Sequence, residues 1–205
     1  MRRARSTPCS PRESWPQPAD EPTLITPLDP AGYIRTPWRN GGGVTVDIAL
    51  DGDVWRFGRT PITAAGPFSD YAGFERLQVL VAGRGLVLET PQGDIDVRQP
   101  FRPVRFAGET PIVSRLEAGP VEVVNLIGDR SRVRLDLGVL EAGEKQPLGA
   151  GIHIAYCPAG PASLDLRGGV HALAAGHALR IEDEVCDLAC REGLIVLGSV
   201  TCVLP

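Results

Sequence analysis

The sequence predicts an all-β protein built as two stacked jelly rolls in one chain. Three observations carry this. Short apolar segments recur along the chain, separated every ten residues or so by turn signals such as Asp51-Gly52, Ala82-Gly83, Gln92-Gly93 and Arg167-Gly168-Gly169. No stretch of twelve residues carries a helical period. Two segments also repeat one order of strands and turns: Gly85 to Val124, with a Phe106-Ala107-Gly108 corner, and Ser163 to Leu197, with Ala174-Ala175-Gly176 at the matching place.

Residues 1–22 stand apart. Prolines 8, 11, 16, 18 and 22, with Arg2, Arg3, Arg5 and Arg12 and almost no aliphatics, cannot build a core, so this stretch reads as a disordered extension. A first unit is expected over 23–130 and a second over 131–205, joined where Gly128-Asp129-Arg130-Ser131 breaks the strand pattern. Strict alternation at Val44–Leu50 places Val44, Val46, Ile48 and Leu50 on one face, with Thr45 and Asp47 on the other. A second alternating run is Val133, Leu135, Leu137 and Val139. Further strands are expected at 54–57, 77–81, 86–89, 95–97, 104–106, 112–116 and 121–127. In the second half they fall at 151–156, 162–166, 170–174, 178–181, 185–189 and 194–203.

Composition excludes several classes. A chain of 205 residues with 43% apolar residues can bury a proper core, and a net charge of −4 without a basic patch gives no footprint for nucleic acid. No apolar run is long enough to span a bilayer, and no apolar segment follows the N-terminal arginines, so neither a membrane nor a secretory route is expected. The odd set Cys9, Cys157, Cys186, Cys190 and Cys202 points to reduced thiols and a cytoplasmic protein. Cys186 and Cys190, four apart, share one face of a strand rather than forming a metal knuckle.

The most distinctive stretch is Pro37-Trp38-Arg39-Asn40-Gly41-Gly42-Gly43-Val44-Thr45-Val46-Asp47-Ile48. Asn40 with Gly41, Gly42 and Gly43 is a strong turn signal, and three bare residues also let a ligand approach the backbone. A phosphate loop needs a helix behind it; here a strand follows. Nearby polar material makes a pocket plausible. Arg56 sits between Trp55 and Phe57, Phe68 and Arg76 flank a glycine-containing aromatic loop, and Asn125 interrupts the apolar strand Val121–Ile127. Arginine forks suit a carboxylate, and a buried Asn must find a partner. Each of these residues also has a purely structural reading, and alternation alone allows Thr45 and Asp47 to face either a pocket or solvent.

Metal chemistry would draw on the second half, where His153, His171 and His177 lie with carboxylates such as Glu182. His153 alternates with Ile152 and Ile154, and His171 and His177 flank a corner, so scattered or internally satisfied histidines are the competing expectation. The usual nucleophile elbow, zinc-helix, Walker and dinucleotide signatures are missing.

The stretch Pro37–Ile48 resembles the Pro-Trp-Lys-Asn-Gly-Gly-Gly-x-Thr-x-Glu-Ile signature of the HutD/Ves family. The resemblance continues at Trp55-Arg56, Gly66-Pro67-Phe68-Ser69, Gly73, Arg76, Pro100-Phe101, Phe106 to Glu109, Gly119-Pro120-Val121 and Asn125. It implies a bicupin, two cupin-like β-barrels of the jelly-roll type, linked to histidine utilisation through binding of an intermediate such as formylglutamate or urocanate, with a stress-induced branch of no established activity. Departures fall at Gly58, Thr60, Tyr71-Ala72 and Val123-Val124, where the family has Ser, Ala, Phe-Pro and Asp-Phe.

The resulting expectation is a cytoplasmic small-molecule binding protein without metal or other cofactor. Its ligand, a carboxylate, would meet Trp38, Asn40, Gly41, Gly42, Gly43, Thr45, Asp47, Arg56, Phe68, Arg76 and Asn125. The alternatives are a metal-dependent cupin enzyme using the C-terminal-half histidines, and a homodimer supported by exposed sheet edges.

Overall fold

A computed structural model describes residues 25–38, 41–167, 169–183 and 185–203. The N-terminal extension 1–22 and Asn40 lie outside the described residues. In chain order the first strands are β1 (Ile25–Leu28), β2 (Ile34–Pro37), β3 (Val44–Asp51), β4 (Trp55–Ile62), β5 (Gly66–Pro67) and β6 (Phe74–Ala82). Next come β7 (Leu86–Glu89), β8 (Ile95–Val97), β9 (Val104–Ala107), β10 (Val113–Leu116), β11 (Val121–Asp129), β12 (Val133–Glu141) and β13 (Lys145–Leu148). The last are β14 (Ile152–Tyr156), β15 (Ala162–Leu166), β16 (Gly169–Leu173), β17 (Ala178–Glu182), β18 (Cys186–Glu192) and β19 (Leu194–Cys202). The described helix is one 3-10 turn at Pro30–Gly32, capped by Asp29.

All-β is therefore the architecture, but the hydrogen bonds do not close two barrels. They form four open sheets, ordered β5-β10-β7-β8, β2-β3-β4-β11-β6-β9, β1-β17-β14-β19-β12 and β13-β18-β15-β16. Three apolar clusters stack these sheets in that order. Ile62, Leu80, Leu86, Leu88, Val97, Phe106, Val121 and Val123 join the first to the second. Phe57, Leu77, Val79, Val124, Leu126, Leu135, Ile154, Tyr156 and Val196 join the second to the third. Ala155, Leu164, Leu166, Leu179, Ile181, Leu188, Ile195 and Leu197 join the third to the fourth. The two inner sheets are thus buried on both faces, which is why β6, β11 and β19 read as nearly unbroken apolar runs.

Four strands escape the sequence pattern: β1, β2, β5 and β13. Each contains a proline (Pro27, Pro37, Pro67 and Pro147), and each is the edge strand of its sheet. A proline has no N–H to give to a ladder, so it is tolerated where only one neighbour must be satisfied. The strand β1 pairs with β17, laying the start of the described chain on the third sheet.

The alternation of β3 needs a correction. Its register against β4 shifts between Asp47 and Ala49, leaving Ile48 in a bulge. Ile48 packs into the cluster between the inner sheets, whereas Leu50 stands opposite Arg56 and shares a recess with it, on the face that Thr45 and Asp47 occupy. A one-residue bulge reverses the faces beyond it.

At the contact of the inner sheets, the fully buried Phe57 meets Tyr156 edge-on, with ring centroids 6.4 Å apart. It also lies over Gly198, where an added Cβ would stand 2.7 Å from the Phe57 ring. Phe57→Ala is expected to cost about 3–5 kcal/mol by leaving a cavity, and Gly198→Ala about 1–3 kcal/mol by overpacking the same spot. Urea unfolding midpoints measure both; a neutral Gly198→Ala would show that the sheets can separate without penalty.

Candidate functional site

On the side of the six-stranded sheet that faces the first sheet, the ladder arranges side chains in rows. Ile62 stands opposite Val121, then Thr60 opposite Val123 with Leu80 beyond it. The next row is Asp47, Gly58, Asn125, Gln78 and Val104, and the next is Leu50, Arg56, Ile127, Arg76 and Phe106. An apolar row, a hydroxyl row, an amide row and a guanidinium row follow one another, separated by one two-residue strand step of about 6.6–6.8 Å. Members of all four rows line a narrow cavity of about 40 Å³ that opens to solvent, and Trp38, Thr45, Phe68, Ser69 and Tyr71 complete it.

The triple-glycine stretch turns out to be the hairpin between β2 and β3. Trp38 N–H donates to the Gly43 carbonyl at 2.9 Å, and Gly41 N–H donates to the Trp38 carbonyl at 3.0 Å. Gly43 is required by close approach: a Cβ there would sit 3.0 Å from three atoms of the Trp38 indole. With the ring laid over the loop, Trp38 Nε1 donates to Thr45 Oγ1 at 3.1 Å, and Thr45 Oγ1 lies 2.9 Å from Thr60 Oγ1. The glycines therefore shape Trp38; none of Gly41, Gly42 and Gly43 is among the residues lining the cavity.

The aromatic loop is tied down by its backbone. Phe68 N–H donates to the Ile112 carbonyl at 2.9 Å and Tyr71 N–H to that of Gly108 at 3.0 Å. This places Phe68, Ser69 and Tyr71 over the guanidinium row.

The two arginines of that row have different surroundings. Arg56 Nε donates to Asp47 Oδ1 at 3.0 Å and its Nη2 to Asp47 Oδ2, a bidentate pair. Thr36 Oγ1 adds a 2.6 Å bond to the same carboxylate, whose side chain has no exposure. Burial works against the Arg56 charge, yet the Asp47 carboxylate and the Tyr71 hydroxyl outweigh it and hold its pKa up. Asp47 thus lies behind the cavity wall as the counter-ion of Arg56 and does not line the cavity.

Arg76 has no such partner. It is 7% exposed, and among the described residues no carboxylate lies within ion-pair range. Its guanidinium carbon sits 4.9 Å from the Phe68 ring centroid, 5.2 Å from that of Phe106 and 5.6 Å from that of Tyr71. Its Nη1 reaches the Ser69 carbonyl at 3.5 Å, while its Nε has no hydrogen-bond partner. Burial pushes its pKa down to about 10, so it still carries its charge at neutral pH.

Of the residues expected from sequence, Trp38, Thr45, Arg56, Phe68, Arg76 and Asn125 meet at this cavity. Sequence reasoning missed Gln78, Thr60 and Tyr71 as lining residues. The signal for Gln78 was its period-two spacing from Arg76, hidden because Leu77, Val79 and Leu80 make the strand look wholly apolar.

The histidines do not converge. His153 is buried with Nδ1 2.8 Å from Ser199 Oγ and Nε2 2.9 Å from the Gly149 carbonyl. Since a carbonyl only accepts, Nε2 is the donor to Gly149, and both ring nitrogens are occupied within the protein. His171 lies on the edge strand β16, and His177 lies 3.6 Å from Asp29 at the turn before β17. Among the described residues no three His, Cys, Asp or Glu side chains gather as a metal site. The space between the third and fourth sheets is filled by apolar side chains. Nor does the Arg76 cavity suit a cation: two guanidiniums line it, and among the described residues no imidazole, thiolate or carboxylate does. The set of His153, His171, His177 and Glu182 expected for a metal enzyme is therefore not assembled.

Removing Arg56 leaves the fully buried Asp47 carboxylate without its cation. Arg56→Ala is expected to cost about 2–4 kcal/mol, less than for a wholly buried pair because Arg56 is partly exposed. Denaturant titration reads this directly, and a loss under about 1 kcal/mol would mean that Thr36 alone sustains the charge.

Comparison with known proteins places the chain. The family model described as HutD matches residues 31–197. A Pseudomonas putida relative described as an uncharacterized 21.2 kDa protein in the hutC 3′ region is 34% identical over 111 residues, 51% of this chain and 58% of the relative. The aligned stretch thus covers under two thirds of that relative's length. HutD from Pseudomonas fluorescens SBW25 superposes with a TM-score of 0.75 at 24% identity, over 88% of this chain and all of that one. A conserved protein of unknown function from Pseudomonas aeruginosa PAO1 does so at 0.78, also at 24% identity and with the same coverage. The salicylate 1,2-dioxygenase of Pseudoaminobacter salicylatoxidans shares the fold at 0.53 and 7% identity, over 72% of this chain and 71% of that one. The chain belongs to the HutD family.

Proposed function

We propose that this HutD-family protein is a binding protein for a small carboxylate, an amino-acid catabolite, which it holds without a metal in the cavity of its first cupin unit, 23–130 less the strand β1 that pairs into the third sheet. The second unit, 131–205, is apolar between its sheets and serves as a support. The observation that carries the reading is Arg76: a buried, charged guanidinium facing a cavity with no carboxylate among the described residues to neutralise it. Leaving such a group unpaired is costly, and an incoming carboxylate supplies the missing charge and hydrogen bonds. Arg56 is already neutralised by Asp47 and contributes to the wall rather than to the net charge.

The setting in histidine utilisation draws on the family and on the relative described as lying in the hutC 3′ region. A modulator of catabolic flux or of a stress response, in the cytoplasm, fits a binding site with no nucleophile–base pair among its lining residues. The four free cysteines among the described residues accord with that compartment. Gly58, Thr60, Tyr71 and Val123, all departures from the family pattern, line the cavity, so the ligand preference of this chain differs from that of relatives carrying the usual residues.

A thermal-shift panel of small carboxylates, histidine-pathway acids included, tests the reading. A bound acid at one hundred times its Kd adds about 2.7 kcal/mol, a rise of several degrees. Arg76→Met should abolish that rise without lowering the melting temperature of the ligand-free protein, because it removes a buried charge along with its ring contacts. A panel in which no carboxylate stabilises the wild type sinks the proposal.

The pH dependence follows from the lowered pKa of Arg76. Affinity for an anion is flat across neutral pH, where Arg76 and the carboxylate are both charged. It falls about tenfold per unit once pH rises above about 10, as the empty site loses its proton. Calorimetric titration between pH 7 and 11 measures this; affinity already falling at pH 8 would assign binding to another group.

A further inference from the structure

One row deeper than the arginines, the cavity holds two side-chain amides with unmet hydrogen-bonding capacity. Gln78 is fully buried, and neither its Nε2 nor its Oε1 has a partner. Asn125, its cross-strand neighbour in direct register on β11, is 6% exposed, and its Oδ1 is also unpartnered. Both line the cavity. Directly opposite residues in an antiparallel pair hold their Cβ atoms about 4.5–5.5 Å apart, so the two amides stand side by side. On the far side of Asn125 the row continues with Gly58, which presents no side chain to either amide; a Cβ there would stand 2.8 Å from the Val46 carbonyl.

A buried amide with neither end bonded, as at Gln78, is among the costly features of a protein interior, and a neighbouring amide oxygen without a donor, Asn125 Oδ1, calls for a common explanation. Ordinary packing would favour an apolar residue at 78, as at Leu80 on the same face of β6. We propose that Gln78 and Asn125 form a second subsite that reads a neutral group able both to donate and to accept, such as a carboxamide, on the end of the ligand opposite its carboxylate. This deepens the carboxylate reading and rests on it. The chemistry selects a neutral group over a second charge, because the amide row contains no cation to compensate one: Asp47, at its far end, is itself an anion paired to Arg56. The strand step between rows, about 6.6–6.8 Å, matches a short chain of about four carbons, the carboxylate and carboxamide carbons included. The ligand class is thus a short ω-amido acid or an equivalent with a carbonyl and an N–H at its tail.

Three probes of equal length separate the possibilities: butanoate, succinamate and succinate, titrated calorimetrically into the full chain at pH 7. Succinamate is expected to bind about tenfold more tightly than butanoate, since a site built for hydrogen bonds discriminates against a ligand that leaves them unmade. Succinate should bind more weakly than succinamate. Gln78→Met, which keeps length and removes both polar atoms, should level succinamate with butanoate. The wild-type comparison stands whether or not that variant folds. Equal binding of butanoate and succinamate, tighter binding of succinate, or a succinamate preference that survives Gln78→Met overturns the subsite and leaves the carboxylate reading intact. No binding of any of the three overturns both.

Discussion

The structure depends on one constraint: a six-stranded sheet that must bury both of its faces. Its odd and even positions pack into different clusters, so Leu77 and Val79 join one neighbour sheet while Leu80 joins the other. Register therefore decides the interior. Once β4, β11 and β6 are aligned by Phe57, Leu126 and Leu77 on one side, the residues between them have no freedom left. Arg56, Ile127 and Arg76 must share a row, as must Gly58, Asn125 and Gln78. The cavity opens where Gly58, Asn125 and Gln78 replace the apolar side chains that precede them on that face at Val123 and Leu80.

Within that frame the electrostatics divides labour between two arginines that local sequence cannot tell apart. Arg56 faces Asp47 because β3 pairs with β4, and the bulge at Ile48 lets the carboxylate, Thr36 and the guanidinium meet. Arg76, two strands away, faces aromatic rings instead. Rings stabilise the cation but supply no counter-charge and no acceptor in the guanidinium plane. One arginine has its counter-ion within the protein; the other, among the described residues, has none.

Much of this was legible. The apolar segments from Leu86 to Leu194 marked their strands closely, and the Asn-Gly-Gly-Gly turn marked its hairpin. The strands that escaped were the edge strands with prolines, where propensity argues correctly against a central strand and says nothing about a peripheral one. The face of Leu50 was misjudged because a bulge leaves no mark on a sequence of alternating residues. Gln78 was hidden for the converse reason, a single polar side chain inside an apolar run, which carries no sign of whether it is satisfied.

The sequence by itself determined the all-β class, the hairpin at Trp38–Gly43 and the set of unusual polar residues, because strand period, turn chemistry and residue type are local properties. It also carried the HutD motif. What only the tertiary structure decided is which of those polar groups are already paired. Asp47 takes Arg56 and Thr36, His153 takes Ser199 and Gly149, while Arg76, Gln78 and Asn125 keep open valences at one cavity. Pairing is set by register between strands distant in the chain, and no local pattern encodes it.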